Sequence, residues 1–245
     1  MKRAREFGQS RWKDLRDKLL SVKKPTPLKN MWKWEDREDG IEITGYIGNE
    51  TDVVVPEEID GKKVLSIGYE AFSPNEQGLR SESLVKEGRL LLNSVKLPFS
   101  LSEIGSIFNG CACLQNVEFS ESVKEISREA FYGCESLQVT EYESAYYLGC
   151  GGNPYYALIS IDKKAETVTL HKDVKVIAYC VFEDRYFELN TLKVPAELKK
   201  FPYENLRTIS EISRDAHYEI MAPADSDAIR WAKKNCVPYV IADDE

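Results

Sequence analysis

A short phrase, apolar–any–apolar and then often proline, recurs five times along this 245-residue chain. It limits the fold more than any other property of the sequence. The copies are Val53-Val54-Val55-Pro56, Val95-Lys96-Leu97-Pro98, Val117-Glu118-Phe119-Ser120, Val168-Thr169-Leu170-His171 and Leu192-Lys193-Val194-Pro195. Three positions after each Pro, Ser or His stands another apolar residue: Ile59, Leu101, Val123, Val174 and Leu198. Three further on come Ile104, Ile126, Ile177 and Phe201, while the first copy reaches its equivalent, Ile67, after an insertion containing Asp60-Gly61-Lys62-Lys63. Leu97 and Phe119 are 22 residues apart and Leu170 and Val194 are 24 apart, whereas gaps of 42 and 51 residues contain insertions or degenerate copies. A unit that short supplies one strand, a turn and a second apolar edge, too little to bury anything alone. Stacked units pair their strands in parallel and lay Val, Leu and Phe over their counterparts, which builds a continuous core. Proline after the strand ends it at little cost, because pairing is already complete there.

A second phrase follows the first. Ile67-Gly68-Tyr69-Glu70-Ala71-Phe72 matches Ile126-Ser127-Arg128-Glu129-Ala130-Phe131 and Ile177-Ala178-Tyr179-Cys180-Val181-Phe182, with Ile104-Gly105-Ser106-Ile107-Phe108 one residue shorter. Two copies continue alike, as Phe108-Asn109-Gly110-Cys111 and Phe131-Tyr132-Gly133-Cys134. Equal phase predicts a column of Phe72, Phe108, Phe131 and Phe182, in which Phe131→Ala costs about 3–5 kcal/mol as a buried truncation. Arg128→Ala, at an outward turn, should cost under about 0.5 kcal/mol. The stretches VVVPEEIDGKKVLSIGYEAF, VKLPFSLSEIGSIFNGCACL and VEFSESVKEISREAFYGCESL resemble the bacterial surface-antigen, or BspA-like, leucine-rich repeat, over about residues 41–210. The resemblance implies a right-handed curved solenoid used for protein–protein or host-surface contact, with no catalytic residues. The fold expected is therefore mainly β with short helices: a leucine-rich-repeat solenoid of short parallel strands over 51–210, with insertions near 74–92 and 138–166.

Caps are expected at both ends. Trp32-Lys33-Trp34 and Ile41-Glu42-Ile43-Thr44 flank a polar Gly-containing turn, which predicts a capping hairpin over 31–50 with Trp32, Trp34, Ile41 and Ile43 on one face. Residues 211–245 form the other cap. There a helix starts near Asp225 or Ser226, turns Ala228, Trp231 and Ala232 inward, and is followed by a strand at Val237–Ile241. Residues 1–30 read as a basic arm, helical over about 9–24, where Trp12, Leu15, Leu19 and Val22 make one apolar stripe before Pro25 and Pro27. Such a segment either packs on the body or contacts an anionic membrane or a partner. The net charge of −8 is uneven: residues 1–34 hold eleven Lys/Arg against three acids, leaving −16 for the rest. An acidic body argues against nucleic acid as partner.

Little in the chain suggests chemistry. Within 138–166, Tyr146-Tyr147-Leu148-Gly149-Cys150-Gly151-Gly152-Asn153-Pro154 reads as a Gly-rich loop, and Tyr155–Ile161 with Thr167–Leu170 as a hairpin returning to the repeats. No Lys-Ser/Thr follows as in a phosphate loop. The dense tyrosines, Tyr146, Tyr147, Tyr155 and Tyr156, offer an insertion surface, with half of them expected to pack inward. His171 takes the post-strand slot held elsewhere by proline, which favours a turn role. Cys111 and Cys113 lack the second Cys pair of a zinc site, and Cys111 and Cys134 share a repeat slot as small buried residues. No metal or cofactor is expected.

What remains is the outward side of the strands: Asp52 and Val54, Ser94 and Lys96, Asn116 and Glu118, Thr167 and Thr169, Thr191 and Lys193. Outward residues of a parallel row can vary without disturbing the core, which is how repeat arrays build binding faces. The expected function is a non-catalytic scaffold that binds a protein, as a monomer or weak oligomer. The alternatives are a surface adhesin binding a host or matrix protein, by resemblance, and remotely an enzyme using the Tyr/Gly insertion. With no run of about 7–15 apolar residues after the basic start, and none near the roughly 18 of a membrane span, the expected location is cytoplasmic, or the cell surface by resemblance.

Overall fold

The structure, a computed structural model, describes residues 31–48, 50–69, 71–73, 91–127, 129–179, 181–182, 188–198 and 218–242. The basic arm, most of the 74–92 insertion, Arg128, Cys180, Phe201 and His217 lie outside the described residues. The chain divides into two compact units, Met1–Val123 with Glu129–Gln138, and Lys124–Arg128 with Val139–Glu245.

In the first unit the recurring phrase forms strands Asp52–Val54, Ser94–Lys96 and Asn116–Glu118. They pair in parallel with Val53 beside Val95 and Val95 beside Val117. All three valines are buried, as an alternating strand over a core requires. The ladder runs past the strands, with Gln115 N–H donating to Asn93 O at 2.8 Å and Gln138 N–H to Gln115 O at 2.9 Å.

Behind the strands the second phrase delivers its aromatic rings. Phe72 and Phe108 lie 5.2 Å apart, and Phe108 and Phe131 stack at 5.8 Å with 15° between planes. Tyr46 and Trp32 close the top of this column, at 5.7 and 6.0 Å from Phe72. Phe72 and Phe108 are fully buried. Phe131 is only half-buried, because it ends the column within this unit, so the cost expected for its truncation must be revised downward. Phe182 belongs to the second unit, where its ring lies 6.1 Å from Tyr218. Three of the four expected rings therefore stack together, and the fourth has a different partner.

The shared Gly-Cys pair has a local cause. Gly110 and Gly133 sit at φ of 80° and 76°, a left-handed turn that glycine adopts without strain. Each turn aims the following thiol at the coil before it: Cys111 Sγ donates to Phe72 O and Cys134 Sγ to Phe108 O, both at 3.2 Å. These thiol hydrogen bonds tie coil to coil.

At the start of the unit, Trp32–Arg37 and Gly40–Tyr46 form the antiparallel hairpin. Its second strand pairs in parallel with Lys62–Ile67, which folds back on Glu58–Ile59. The insertion thus becomes a tight turn in which Asp60 and Gly61 both have positive φ, 52° and 76°, the geometry that suits two-residue hairpins. Trp32, Ile41 and Ile43 are buried, but Trp34 is 38% exposed. The register shifts between Lys33 and Trp34, and the strand is the outer edge of its sheet. Its later residues therefore lack cover, which corrects the expected four-residue face.

The second unit has its own parallel row: Thr167–Thr169, Thr191–Lys193, Glu219–Ala222 and Tyr239–Ile241. Val168, Leu192 and Ile220 are fully buried in line. Glu219–Ala222 is a further copy that the five-fold count missed, since Ile220-Met221-Ala222-Pro223 repeats the first phrase. The stretched interval also differs from expectation. Ala145–Cys150 and Asn153–Ile161 are the two strands of the hairpin, and Gly151-Gly152 is its turn rather than a separate loop. Thr140–Tyr142 adds a third antiparallel strand through Glu143 and Ser144, both with positive φ, and Val176–Ile177 pairs in parallel on the other side. Thr167–Thr169 pairs with Thr191–Lys193 instead of closing a hairpin with Tyr155–Ile161.

One helix occurs among the described residues, Asp227–Asn235. Ser226 caps it, its Oγ accepting from Ile229 N–H at 3.2 Å, and Cys236 ends it in a left-handed conformation. Ala228, Ile229, Trp231 and Ala232 are buried. Tyr239–Ile241 completes the row, yet all three side chains stay exposed.

Candidate interaction face

Alternation along the first row turns Asp52 and Val54, Ser94 and Lys96, and Asn116 and Glu118 away from the core. Parallel register places Asp52, Ser94 and Asn116 in one line and Val54, Lys96 and Glu118 in the next. The polar line is knit together, with Asp52 Oδ1 accepting from Ser94 Oγ at 2.7 Å and from Asn93 Nδ2 at 2.9 Å. In the second line Lys96 forms an ion pair with Glu118. Exposed pairs of this kind contribute little stability, but this one neutralises the cation of the row.

Beside the row stands Phe99, 64% exposed, with Lys96 Nζ 5.9 Å from its ring centre. Val54 is 68% exposed. Phe99 N–H donates to both oxygens of the Glu57 carboxylate at 3.0 Å, and its carbonyl accepts from Ser122 Oγ at 2.8 Å. The turn is fixed by these bonds, so the ring projects by construction rather than by looseness. Val54, Lys96 and Phe99 make an apolar spot bordered by Asp52, Glu57 and Glu118. Phe99 and Glu57 escaped the sequence reading, although a signal was present. The slot after the proline holds Glu57, Phe99, Glu121, Lys172 and Ala196 in successive copies, and Phe99 is the large apolar residue among them.

The second row places Thr167, Thr191 and Glu219 in one line, and Thr169, Lys193, Met221 and Val240 in the other. Met221 and Val240 extend the outward set beyond the residues expected. Tyr239 is 40% exposed, with Lys233 Nζ 5.5 Å from its ring.

The tyrosines of the hairpin divide by strand alternation: Tyr147 and Tyr156 are buried, and Tyr146 and Tyr155 are half-buried. Tyr155 stacks on His171 at 3.6 Å, and Tyr142 meets the same imidazole edge-on at 4.8 Å. His171 Nδ1 accepts from Asp173 N–H at 3.2 Å, while Tyr147 Oη accepts from His171 N–H at 3.0 Å. His171 thus holds the turn after its strand, the role its slot suggested. Desolvation lowers its pKa below the ordinary value, against the pull of Asp173, and burial pushes the Tyr147 phenol up to about 12. Burial likewise raises the Cys134 thiol to about 12, so it stays protonated at neutral pH. Among the described residues no group of three His, Cys, Asp or Glu is placed to hold a metal ion, and no helix is long and apolar enough to cross a membrane.

Against this geometry, the model of the BspA type leucine rich repeat region matches residues 87–213 in six copies, just over half of the chain. The chain belongs to the BspA-type leucine-rich repeat family. Members of such a family are repeat proteins, and its repeat accounts for both phrases and for the stacked coils of each unit. Two solved structures are similar. One is a leucine rich repeat protein of T. pallidum, 27% identical, covering 69% of this chain and 71% of that one with a TM-score of 0.43. The other is a leucine rich cell surface protein of Faecalibacterium prausnitzii A2-165, 20% identical, covering 84% of this chain and 46% of that one with a TM-score of 0.40. No curated protein matches.

Proposed function

We propose that the chain is a non-catalytic binding module that presents the outward residues of its parallel strand rows to a protein partner. The observation that carries this is the spot at Val54, Lys96 and Phe99. Two large apolar side chains more than 60% exposed sit on a backbone fixed by ladder bonds and by Glu57. Rigid exposed apolar and aromatic groups with a polar rim are the material of interface centres. The second row contributes Thr169, Lys193, Met221 and Val240 in the same manner. The test is proximity crosslinking from this face in cells of the native source, followed by titration of the purified partner. Val54→Asp with Phe99→Ser should weaken binding by more than about tenfold, the scale of a 1.4 kcal/mol loss, at unchanged melting temperature. Partner affinity unaffected by both rows of outward substitutions removes the reading.

Family membership supports a second reading, adhesion at the cell surface. Protease treatment of intact native cells distinguishes the two: digestion of the chain from outside favours adhesion, and complete protection excludes it.

A further inference from the structure

Apart from residues 1–30, the first unit is far more acidic than the net −8 of the whole chain suggests. Residues 31–123 with 129–138 hold nineteen Asp/Glu and eight Lys/Arg. Charge of one sign on this scale sets up a field that concentrates basic segments near the surface. Within that field the Val54–Lys96–Phe99 spot is an unpartnered apolar sheet face, and its cation is already paired with Glu118. Asp52, Glu57 and Glu118 ring it with carboxylates. A complementary occupant is basic, with a few apolar side chains on one side.

One segment with that chemistry lies in the same chain. Residues 1–30 carry ten Lys/Arg against Glu6, Asp14 and Asp17, and include the stripe Trp12, Leu15, Leu19 and Val22. They run directly into the described residues at Met31. From Pro25 the chain can reach about 20 Å before Met31, and such tethering supplies an effective concentration on the order of millimolar. We infer that this N-terminal arm docks in cis on the outward face of the first strand row, covering Val54 and Phe99 until a partner displaces it. The inference rests on reading that row as a binding face, and adds to it a self-masking segment.

The test follows trypsin cleavage within the arm of the full chain, with the free peptide 1–30 as reference at each salt concentration. At low salt the arm in the wild-type chain should be cut about tenfold more slowly than the free peptide. Val54→Asp with Phe99→Ser should restore fast cutting, and so should Leu15→Asp with Leu19→Asp. Salt near 1 M, where the Debye length falls to about 3 Å, should weaken the protection. Both face residues are exposed, so a melting-temperature check suffices to show that the body stays folded, and the Leu variants lie outside the body. Cutting of the wild-type arm at the free-peptide rate overturns the inference. So does protection that ignores the Val54/Phe99 change, which puts the arm elsewhere. Protection that vanishes on dilution overturns it in favour of a second copy's arm. No partner enters this measurement, so its failure is separable from failure of the binding-module reading.

Discussion

The two units are built from the same phrases but fill the space behind their strands differently. The first stacks aromatic rings, Trp32 and Tyr46 over Phe72, Phe108 and Phe131, and joins coils through the thiols of Cys111 and Cys134. The second relies on an aliphatic row of Val168, Leu192 and Ile220, and adds a hairpin whose tyrosines close on His171. Their charges differ as well once residues 1–30 are set apart, since residues 31–123 with 129–138 hold nineteen Asp/Glu and eight Lys/Arg and the second unit holds nineteen and fifteen. The contrast shows that the strand phrase fixes the ladder and leaves the filling of the coil open. One unit repeats a ring at each coil, and the other places an imidazole among its tyrosines.

Phe108→Ala is the severest way to probe this contrast. Removing a fully buried ring between two stacked neighbours should cost about 3–5 kcal/mol, measured by denaturant unfolding. Phe131→Ala should cost less, about 2–3 kcal/mol, because part of its ring is already in water. Equal costs would dissolve the column as a unit of packing. Cys111→Ala should cost about 1–2 kcal/mol, since Phe72 O loses its donor and the thiol volume is left empty.

In the second unit Tyr147→Phe should cost about 1 kcal/mol, the worth of the acceptor for His171 N–H. The pH response belongs to this unit. The folded-state pKa of His171 lies below 6.5, so on acidification the unfolded chain binds the proton first. Stability should therefore decline as pH falls below 6.5 toward the folded-state value, and hold steady above it. His171→Asn keeps an acceptor for Asp173 N–H without a titrating ring, and should flatten that slope in melting curves. An unchanged slope would assign the response to other groups. The smallest effect is expected from Val54→Asp, under about 0.5 kcal/mol on stability, although the same change should disturb binding.

Much of the ladder was visible in the residues, because a strand phrase of fixed phase allows a single register. Val53, Val95 and Val117 could scarcely align otherwise once each must face the core. The Phe phrase was equally informative within one unit. What escaped was decided by context. Ile220-Met221-Ala222-Pro223 has polar Ser226 where the other copies place an apolar residue, and the Gly151-Gly152 turn resembled a loop because Tyr and Leu on both sides fit either hairpin register. Trp34 obeyed the alternation but sits on an edge strand, where alternation no longer implies cover. The candidate site was half legible: alternation marks which residues face outward, while Phe99 needed the turn geometry at Glu57 to show that its ring stands by Lys96.

The aligned register has a consequence for how such a molecule can change. Val53 and Val95 stand side by side although 42 positions separate them, and Val95 and Val117 do so across 22. The return path from one rung to the next is therefore elastic in length, whereas the rung itself tolerates no slip. Excising the segment from Val95 through Asn116 as a block should bring Val117 against Val53 and leave a shorter but properly closed array. Removing a single position inside a rung would instead turn its buried valine to water.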